Sequence, residues 1–382
     1  MKILFVSMNS IHFVRWIENL KDSEHDLYWF DVLDRGELQT FPRVKQYAKW
    51  KERKMPYIKG EYFLKKKMST VFNIIQPLLE VTIDEKLKQI IEEINPDVVH
   101  SFEMQNCSYP ILRTMKKFPN LKWIYSCWGN DLYYYKDLSR HNAKLRKVLQ
   151  RVDYLQADCE RDCKLAVGLG FSGYLNEVIP GGTGYMVESL AKHKKEIAER
   201  KIILIKGYQH IFGRALIVVQ EMEKIQLTYP EYEIVIFGSH QEVCSFIENK
   251  KLPFKFFTRN ELSQQELLQL MGQSLLYIGN SISDGIPNTL LEAIVMGAFP
   301  IQSNPGNATA EIIADGINGF LINDPECNNE IYSIICKALN NKSLIAKAYA
   351  FNENIAKLRL DYAINNIKVN NLYRKIVNES RS

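Results

Sequence analysis

The sequence predicts an α/β protein of two doubly wound domains, and three observations carry that expectation. Its 382 residues exceed what one hydrophobic core ordinarily organises. Short apolar runs alternate with helix-like or polar segments from the first residues onward, the pattern of parallel strands covered on both faces by crossover helices. The alternation breaks once, in the polar stretch SLAKHKKEIAERK at 189–201, and then restarts.

The elements follow in order. Ile3 to Val6 is an apolar run followed by Asn9 and Ser10, then by Phe13, Trp16, Ile17 and Leu20 at helical spacing, which reads as strand, N-cap and helix. Further strands are expected at 26–32, 96–102, 121–127, 152–157 and 176–180, and together they give a first domain over 1–188. After the break, strands are expected at 201–206, 232–238, 253–258, 274–280, 298–303 and 319–322, with helices at 213–227 and 288–297. These give a second domain over 201–352. A helical tail over 353–382, with Leu358, Leu360, Tyr362, Ile364 and Ile367 as apolar contacts, is expected to pack back onto the first domain. Ligands of open α/β sheets bind at the carboxyl ends of the strands, so the active site is expected in a cleft between the domains.

Composition excludes several classes. With 46% hydrophobic and 24% charged residues the chain is neither disordered nor collagen-like. The 49 Lys and Arg against 44 Asp and Glu leave +5, too little over this length to argue for nucleic acid as a partner. The opening MKILFVSMNS lacks the long apolar stretch and cleavage site of a secretory leader. No uncharged apolar run approaches the roughly eighteen residues a spanning helix needs, and a cytoplasmic protein is expected. Seven scattered Cys fit reduced thiols better than a disulfide framework. Cys159 and Cys163 could share a helix face, but no His or second Cys pair completes a zinc site, and no metal is expected.

The most specific segment runs from Ser283 to Gly297, SDGIPNTLLEAIVMG. A loop entering a helix leaves unpaired N–H groups that can receive anionic or hydroxyl oxygens. Gly285 lets a ligand approach the backbone, and Pro287 pre-sets the helical φ. Asp284 and Glu292 lie eight positions apart, one before the helix and one in its second turn, so both can face a ligand over the helix start. Taken alone, such a pair is more simply an N-cap and a solvated helical acid.

This stretch resembles the paired carboxylates of retaining glycosyltransferases of family four, which have the two-domain GT-B fold, and the resemblance extends over nearly the whole chain. It implies that Asp284 contacts a donor sugar, that Glu292 contacts the nucleotide ribose, and that the Gly285, Ile286, Pro287, Asn288 and Thr289 backbone binds the sugar. Glu is usual where this chain has Asp284. PDVVHSFE at 96–103 and WGND at 128–131 resemble the family's acceptor-side strand and loop, which carries over to His100, Glu103, Trp128, Asn130 and Asp131, with Trp128 standing where His is more common. SIHFVRWIENL at 10–20 resembles the first helix of a subgroup whose His lies near the diphosphate and acceptor, here His12. VIPGGTG at 178–184 resembles a family turn, with Gly181 and Gly184 replacing Asn and Asp. KGYQHIFGRAL at 206–216 sits where the family places the cations that neutralise the leaving diphosphate, here Lys206 and Arg214. Gly238 and Ser239 occupy the usual nucleotide-facing turn.

The resemblance implies transfer of a sugar from a nucleoside diphosphate sugar to a glycan or polyprenyl-linked acceptor, with retention and by a front-face route without metal or cofactor, in making a bacterial surface glycan. A non-catalytic nucleotide-sugar-binding scaffold or partner subunit on the same fold is the alternative. Residues 41–67 hold ten basic and two acidic residues, a local +8, interleaved with Tyr47, Trp50, Tyr57, Tyr62 and Phe63. A solvated face explains such a run, and so does an anionic membrane surface beneath a peripheral enzyme.

Overall fold

Seven parallel strands form the first sheet of the computed structural model, in the order β3-β2-β1-β4-β5-β6-β7. They are β1 Lys2–Ser7, β2 Asp26–Asp31, β3 Lys45–Tyr47, β4 Val98–Phe102, β5 Lys122–Ser126, β6 Tyr154–Gln156 and β7 Tyr174–Leu175. Six more, β8 Ile202–Lys206, β9 Glu233–Ser239, β10 Lys255–Thr258, β11 Ser274–Gly279, β12 Phe299–Ser303 and β13 Phe320–Ile322, form a second parallel sheet in the order β10-β9-β8-β11-β12-β13. Strands β4, β11 and β12 are buried at every residue, as expected where helices cover both faces. In each sheet the chain direction of assembly reverses once, between β1 and β4 and between β8 and β11, and such switch points open a crevice at the strands' carboxyl ends. The structure describes residues 1–379.

Helix starts are chemically marked. Ser10 accepts the Phe13 N–H ahead of Ile11–Glu18. Thr82 with Glu85, and Ser263 with Glu266, close reciprocal capping boxes, each cap contributing about 1 kcal/mol. The first core is aromatic, with ring centroids of Phe5 and Phe13 5.6 Å apart and those of Phe13 and Phe102 5.4 Å apart. The second is aliphatic, built on β8, β9 and β11 through Ile203, Ile205, Ile234, Ile236 and Ile278.

The chain divides into one unit of 1–157, 163–177 and the chain from 369 onward, and another of 158–162 and 178–368. This moves the boundary expected between 188 and 201. The GGTG turn joins the second unit because Tyr185 exchanges backbone hydrogen bonds with Leu360 and Tyr362 at 2.8 and 2.9 Å. The expected tail also splits, inside the Tyr362–Glu379 helix, with Val369, Leu372, Tyr373 and Ile376 buried in the first unit. Leu358 and Ile367, expected as apolar contacts, are exposed, and 380–382 lie outside the described residues. In place of the strand expected at 176–180 the chain pairs only over the two residues of β7 just before it, and the Asn176 N–H and side chain both donate to the Leu155 carbonyl, at 2.9 and 3.0 Å. The short β3 was hidden in the 41–67 charge run.

Candidate active site

The residues expected at the donor side gather at the carboxyl edge of the second sheet. Lys206 ends β8, and its Nζ stands 3.9 Å from Asp284 Oδ2 and 4.8 Å from the centre of the Tyr208 ring. Asp284 lies in the loop that leads from β11 to the Asn288–Met296 helix, and its Oδ1 accepts the Gly285 N–H at 3.0 Å. Burial raises the Asp284 pKa despite Lys206 and Arg161. Glu292, in the second turn, is buried, and Gln264 donates to it at 3.0 Å. Pro287 precedes the helix without a side-chain cap, and its carbonyl accepts the Leu290 and Leu291 N–H groups at 3.0 and 3.2 Å. Ile286 belongs to the core, so it serves the loop through its backbone alone. Asn288 presses its side chain on Gly181, and Thr289 shares a hydrogen bond with Tyr277 at 2.8 Å.

Arg214 is tied more closely than sequence suggested. Its Nε donates to Glu326 at 2.8 Å and its Nη1 to the carbonyls of His210 and Gly213 at 3.2 and 3.0 Å, so it closes the 207–214 loop. Gly238 has φ of 62°, and a Cβ there would fall 2.6 Å from the Tyr208 ring. Ser239 is buried, and its Oγ has no hydrogen-bond partner among the described residues.

Sequence reasoning missed the support beneath this loop. Arg161 Nη1 donates to the Asp284 and Pro305 carbonyls at 2.7 and 2.8 Å, and its Nε donates to Asp162 at 2.9 Å. The Asp158 carboxylate lies against Gly285, where a Cβ would meet its oxygens at 2.7 and 2.9 Å. Burial and then Asp162 push the Asp158 pKa well up. Ligand atoms of Asp158, Cys159 and Asp162 lie within 4.8 Å of one another, but the Arg161 guanidinium already supplies the positive charge there, 2.8 Å from Asp162. No pattern in the sequence marks Asp158 or Arg161.

The first unit sorts its expected residues differently. His12 is exposed, its ring 5.0 Å from that of Trp128. Glu103, just past β4, has φ of 69°, a region L-residues seldom enter. Its carboxylate accepts the N–H groups of Gln105 and Asn106 at 3.0 and 2.6 Å, while burial and then Asp131 raise its pKa to about 7. Asn130 is partly exposed, with a buried Oδ1 that finds no partner among the described residues.

His100 and Asp131 correct the expectation of acceptor contact. His100 is fully buried, its Nδ1 2.7 Å from the Tyr373 hydroxyl and its Nε2 2.7 Å from Ser126 Oγ, and burial sends its pKa well down. It is a satisfied core histidine. Asp131 is buried and accepts from Tyr125, Met104 N–H, Trp128 N–H and Cys127 at 2.7, 3.1, 3.0 and 3.1 Å. Its part is to fix the Trp128 loop.

The basic stretch is less bare than its +8. Acids from within and beyond it pair four of the ten cations, Lys45 with Glu93, Lys49 with Glu37, Arg53 with Glu61 and Lys54 with Glu85. Trp50 is not at the surface: it is buried and donates to the Asp31 carbonyl at 2.7 Å. Arg43, Lys51 and Lys59 stay exposed, and the densest exposed group is Tyr57, Tyr62, Phe63 and Lys65–Lys67, followed on the Ser69–Leu79 helix by Val71, Ile74 and Leu78 at the spacing of one helix face. No helix among the described residues is long and apolar enough to cross a membrane.

Two parallel, doubly wound sheets with polar residues collected at their carboxyl edges define the class as α/β of GT-B type. Residues 2–158 match the family described as glycosyl transferase 4-like, and residues 190–357 match the glycosyl transferases group 1. Between them the two matches take in most of the chain, which belongs to the GT-B glycosyltransferases. Solved structures share the fold at low identity. The Anabaena protein HepE in complex with UDP is 14% identical, with a TM-score of 0.69 over 98% of this chain and 100% of its own. Sucrose-phosphate synthase from Thermosynechococcus elongatus is 13% identical, with a TM-score of 0.71 over 99% and 100%. A glycosyltransferase from Rickettsia africae is 16% identical, with a TM-score of 0.66 over 98% of each chain. No curated protein matches the chain.

Proposed function

We propose that the protein is a retaining glycosyltransferase that moves a sugar from a nucleoside diphosphate sugar to a hydroxyl of a glycan or lipid-linked acceptor in surface-glycan synthesis. The observation that carries this is Lys206 Nζ 3.9 Å from Asp284 Oδ2, in the loop that leads to the Asn288–Met296 helix. Breaking the sugar–phosphate bond moves negative charge onto the β-phosphate, and a fixed cation with helix amides aimed there stabilises the transition state. In this reading Lys206 and Arg214 meet the diphosphate, Asp284 the sugar and Glu292 the ribose, and no metal or cofactor is required. HepE complexes with UDP and glucose and with UDP-glucose support the donor class. The acceptor hydroxyl loses its proton to the departing phosphate as its oxygen bonds to the anomeric carbon on the face the phosphate leaves, which retains configuration. His12, Trp128 and Glu103 are the residues offered to the acceptor.

The test is turnover with donor saturating and the anomer of the product read by NMR. Lys206→Ala and Glu292→Ala should each lower transfer roughly tenfold to a thousandfold. Unchanged turnover in both variants overturns these assignments, and an inverted anomer overturns retention. A wild-type protein that binds donor yet neither transfers nor hydrolyses it is the scaffold or partner subunit instead.

The acceptor is reached, in the same reading, at the inner face of an anionic membrane, through Lys65–Lys67 with Tyr57, Tyr62 and Phe63. At about 1 kcal/mol per basic residue, reversing the three lysines should reduce binding to phosphatidylglycerol vesicles by at least roughly a hundredfold. Flotation unaffected by the reversal removes the membrane from the proposal.

A further inference from the structure

Two histidines stand at the carboxyl edge of the second sheet, outside the residues assigned above. His210 lies in the loop after β8 and His240 directly follows β9, with ring centroids 5.3 Å apart; Tyr208 lies 5.9 Å from the first and 5.4 Å from the second. Backbone groups fix the tautomer of each ring. His210 Nδ1 accepts the Phe212 N–H at 3.1 Å, so its proton is on Nε2. His240 Nδ1 is 2.8 Å from the Gln209 carbonyl oxygen, which can only accept, so its proton is on Nδ1 and Nε2 carries a lone pair. A further proton on the pair therefore enters at Nε2 of His240, because at His210 it would meet a backbone N–H.

The surroundings call for an anion. Burial, then repulsion by His240, Lys206, Arg259 and Arg214, lowers the His210 pKa. Lys206, Arg214 and Arg259 repel a proton from His210, the Tyr208 ring lies beside both imidazoles, Asp284 lies 3.9 Å from Lys206 and Glu326 2.8 Å from Arg214, and Glu242 sits in the first turn of the Gln241–Lys250 helix that His240 precedes. The orphan Oγ of buried Ser239 lies beside the Gly207 backbone, where a Cβ would come within 2.8 Å of it. Three cations, a helix start and an unpartnered buried hydroxyl suit a ligand with several charged oxygens.

We infer that His210 and His240 bind the diphosphate of the nucleoside diphosphate, His210 donating from Nε2–H and His240 taking up a proton at Nε2 as the ligand arrives. The inference rests on the function proposed above. The proton comes from solvent, stays while the diphosphate is bound and returns to solvent when it leaves, so no covalent bond to ligand changes. Nucleoside diphosphate binding is then accompanied by net uptake of a proton.

Calorimetry of the full chain with UDP, GDP and ADP in turn, at about pH 7 in buffers of different ionisation enthalpy, reads the protons taken up on binding. His240→Asn keeps an N–H for the Gln209 carbonyl and loses Nε2; it should bind roughly ten- to a hundredfold more weakly and take up no proton. His210→Asn keeps an oxygen for the Phe212 N–H; it should bind more weakly with uptake unchanged. Thermal unfolding at the wild-type temperature verifies that both variants fold. Wild-type binding without proton uptake, or uptake that persists in His240→Asn, overturns the histidine pair while leaving the function standing. Failure of all three nucleotides to bind wild type counts against the function itself.

Discussion

Replacing Glu103 with Gln should make the protein more stable above about pH 7 and leave it no more stable near pH 4.5, and the sign follows from the position of the carboxyl. A free glutamate ionises near 4.5, whereas burial and Asp131 hold Glu103 to about 7. Between these values the unfolded chain has released a proton that the native state keeps. Native stability therefore falls as pH rises through this window and stays lower above it. A shift of about 2.5 units at 1.36 kcal/mol each is roughly 3 kcal/mol, and partial solvent access at the carboxyl brings it to about 1.5–3 kcal/mol. Glutamine removes the charge but can accept only one of the two N–H groups at Gln105 and Asn106, at a cost of about 1 kcal/mol. The stability difference, variant minus wild type, should thus climb from about −1 kcal/mol at acid pH to positive values above 7. Urea unfolding of both proteins at a series of pH values measures it, and Asp131, Asp158 and Asp284, raised in both, largely cancel. A flat difference, or one that falls with pH, would show that Glu103 is not the buried acid described.

Three further outcomes follow from the same geometry. Gly285→Ala puts a Cβ within 3 Å of both Asp158 carboxylate oxygens; the donor loop must shift, and kcat/KM should drop by up to roughly a hundredfold. Asp131→Ala strands four donors around the Trp128 loop and should cost about 3–5 kcal/mol in denaturant unfolding. Because burial holds the Asp284 proton to higher pH than usual, transfer should fall on the acid side as this carboxyl protonates, and Asp284→Asn should flatten that limb of the pH–rate profile.

Most of the fold was legible because parallel strands are buried on both faces and need only continuous apolar runs, which 3–6, 202–205, 234–237 and 275–278 supply. β3 was not, since a strand of three residues with two polar side chains at a sheet edge has no such run. His100 shows the limit at the site. Its place in PDVVHSFE matched a family pattern, but only the structure shows Tyr373, 273 positions away, closing over one ring nitrogen while Ser126 takes the other. The same holds for the charge at 41–67, where pairing with Glu37, Glu85 and Glu93 depends on elements distant in sequence.

The donor loop makes the deeper case. Its residue types, Asp284, Gly285, Pro287 and Glu292, are readable as chemistry, yet nothing in 283–297 holds Asp284 in place except its own bond to the Gly285 N–H. The hold comes from 158–162. Arg161 grips the carbonyl of Asp284 and that of Pro305, Asp162 neutralises Arg161, and Glu311 accepts the N–H groups of Glu160 and Arg161 at 2.7 and 2.8 Å. Against this, Asp158 carries a second carboxylate into the same buried space, repelled by Asp162 and Asp284. A loop clamped by a guanidinium on one side and pressed by an acid beneath Gly285 has little freedom to adapt. Asp at 284 is one methylene shorter than the Glu usual in the family, so in the function proposed above its reach toward the donor sugar depends on where the loop is set. The five residues 158–162 set it, and any substitution that makes this site accept a different sugar should include them as well as Asp284.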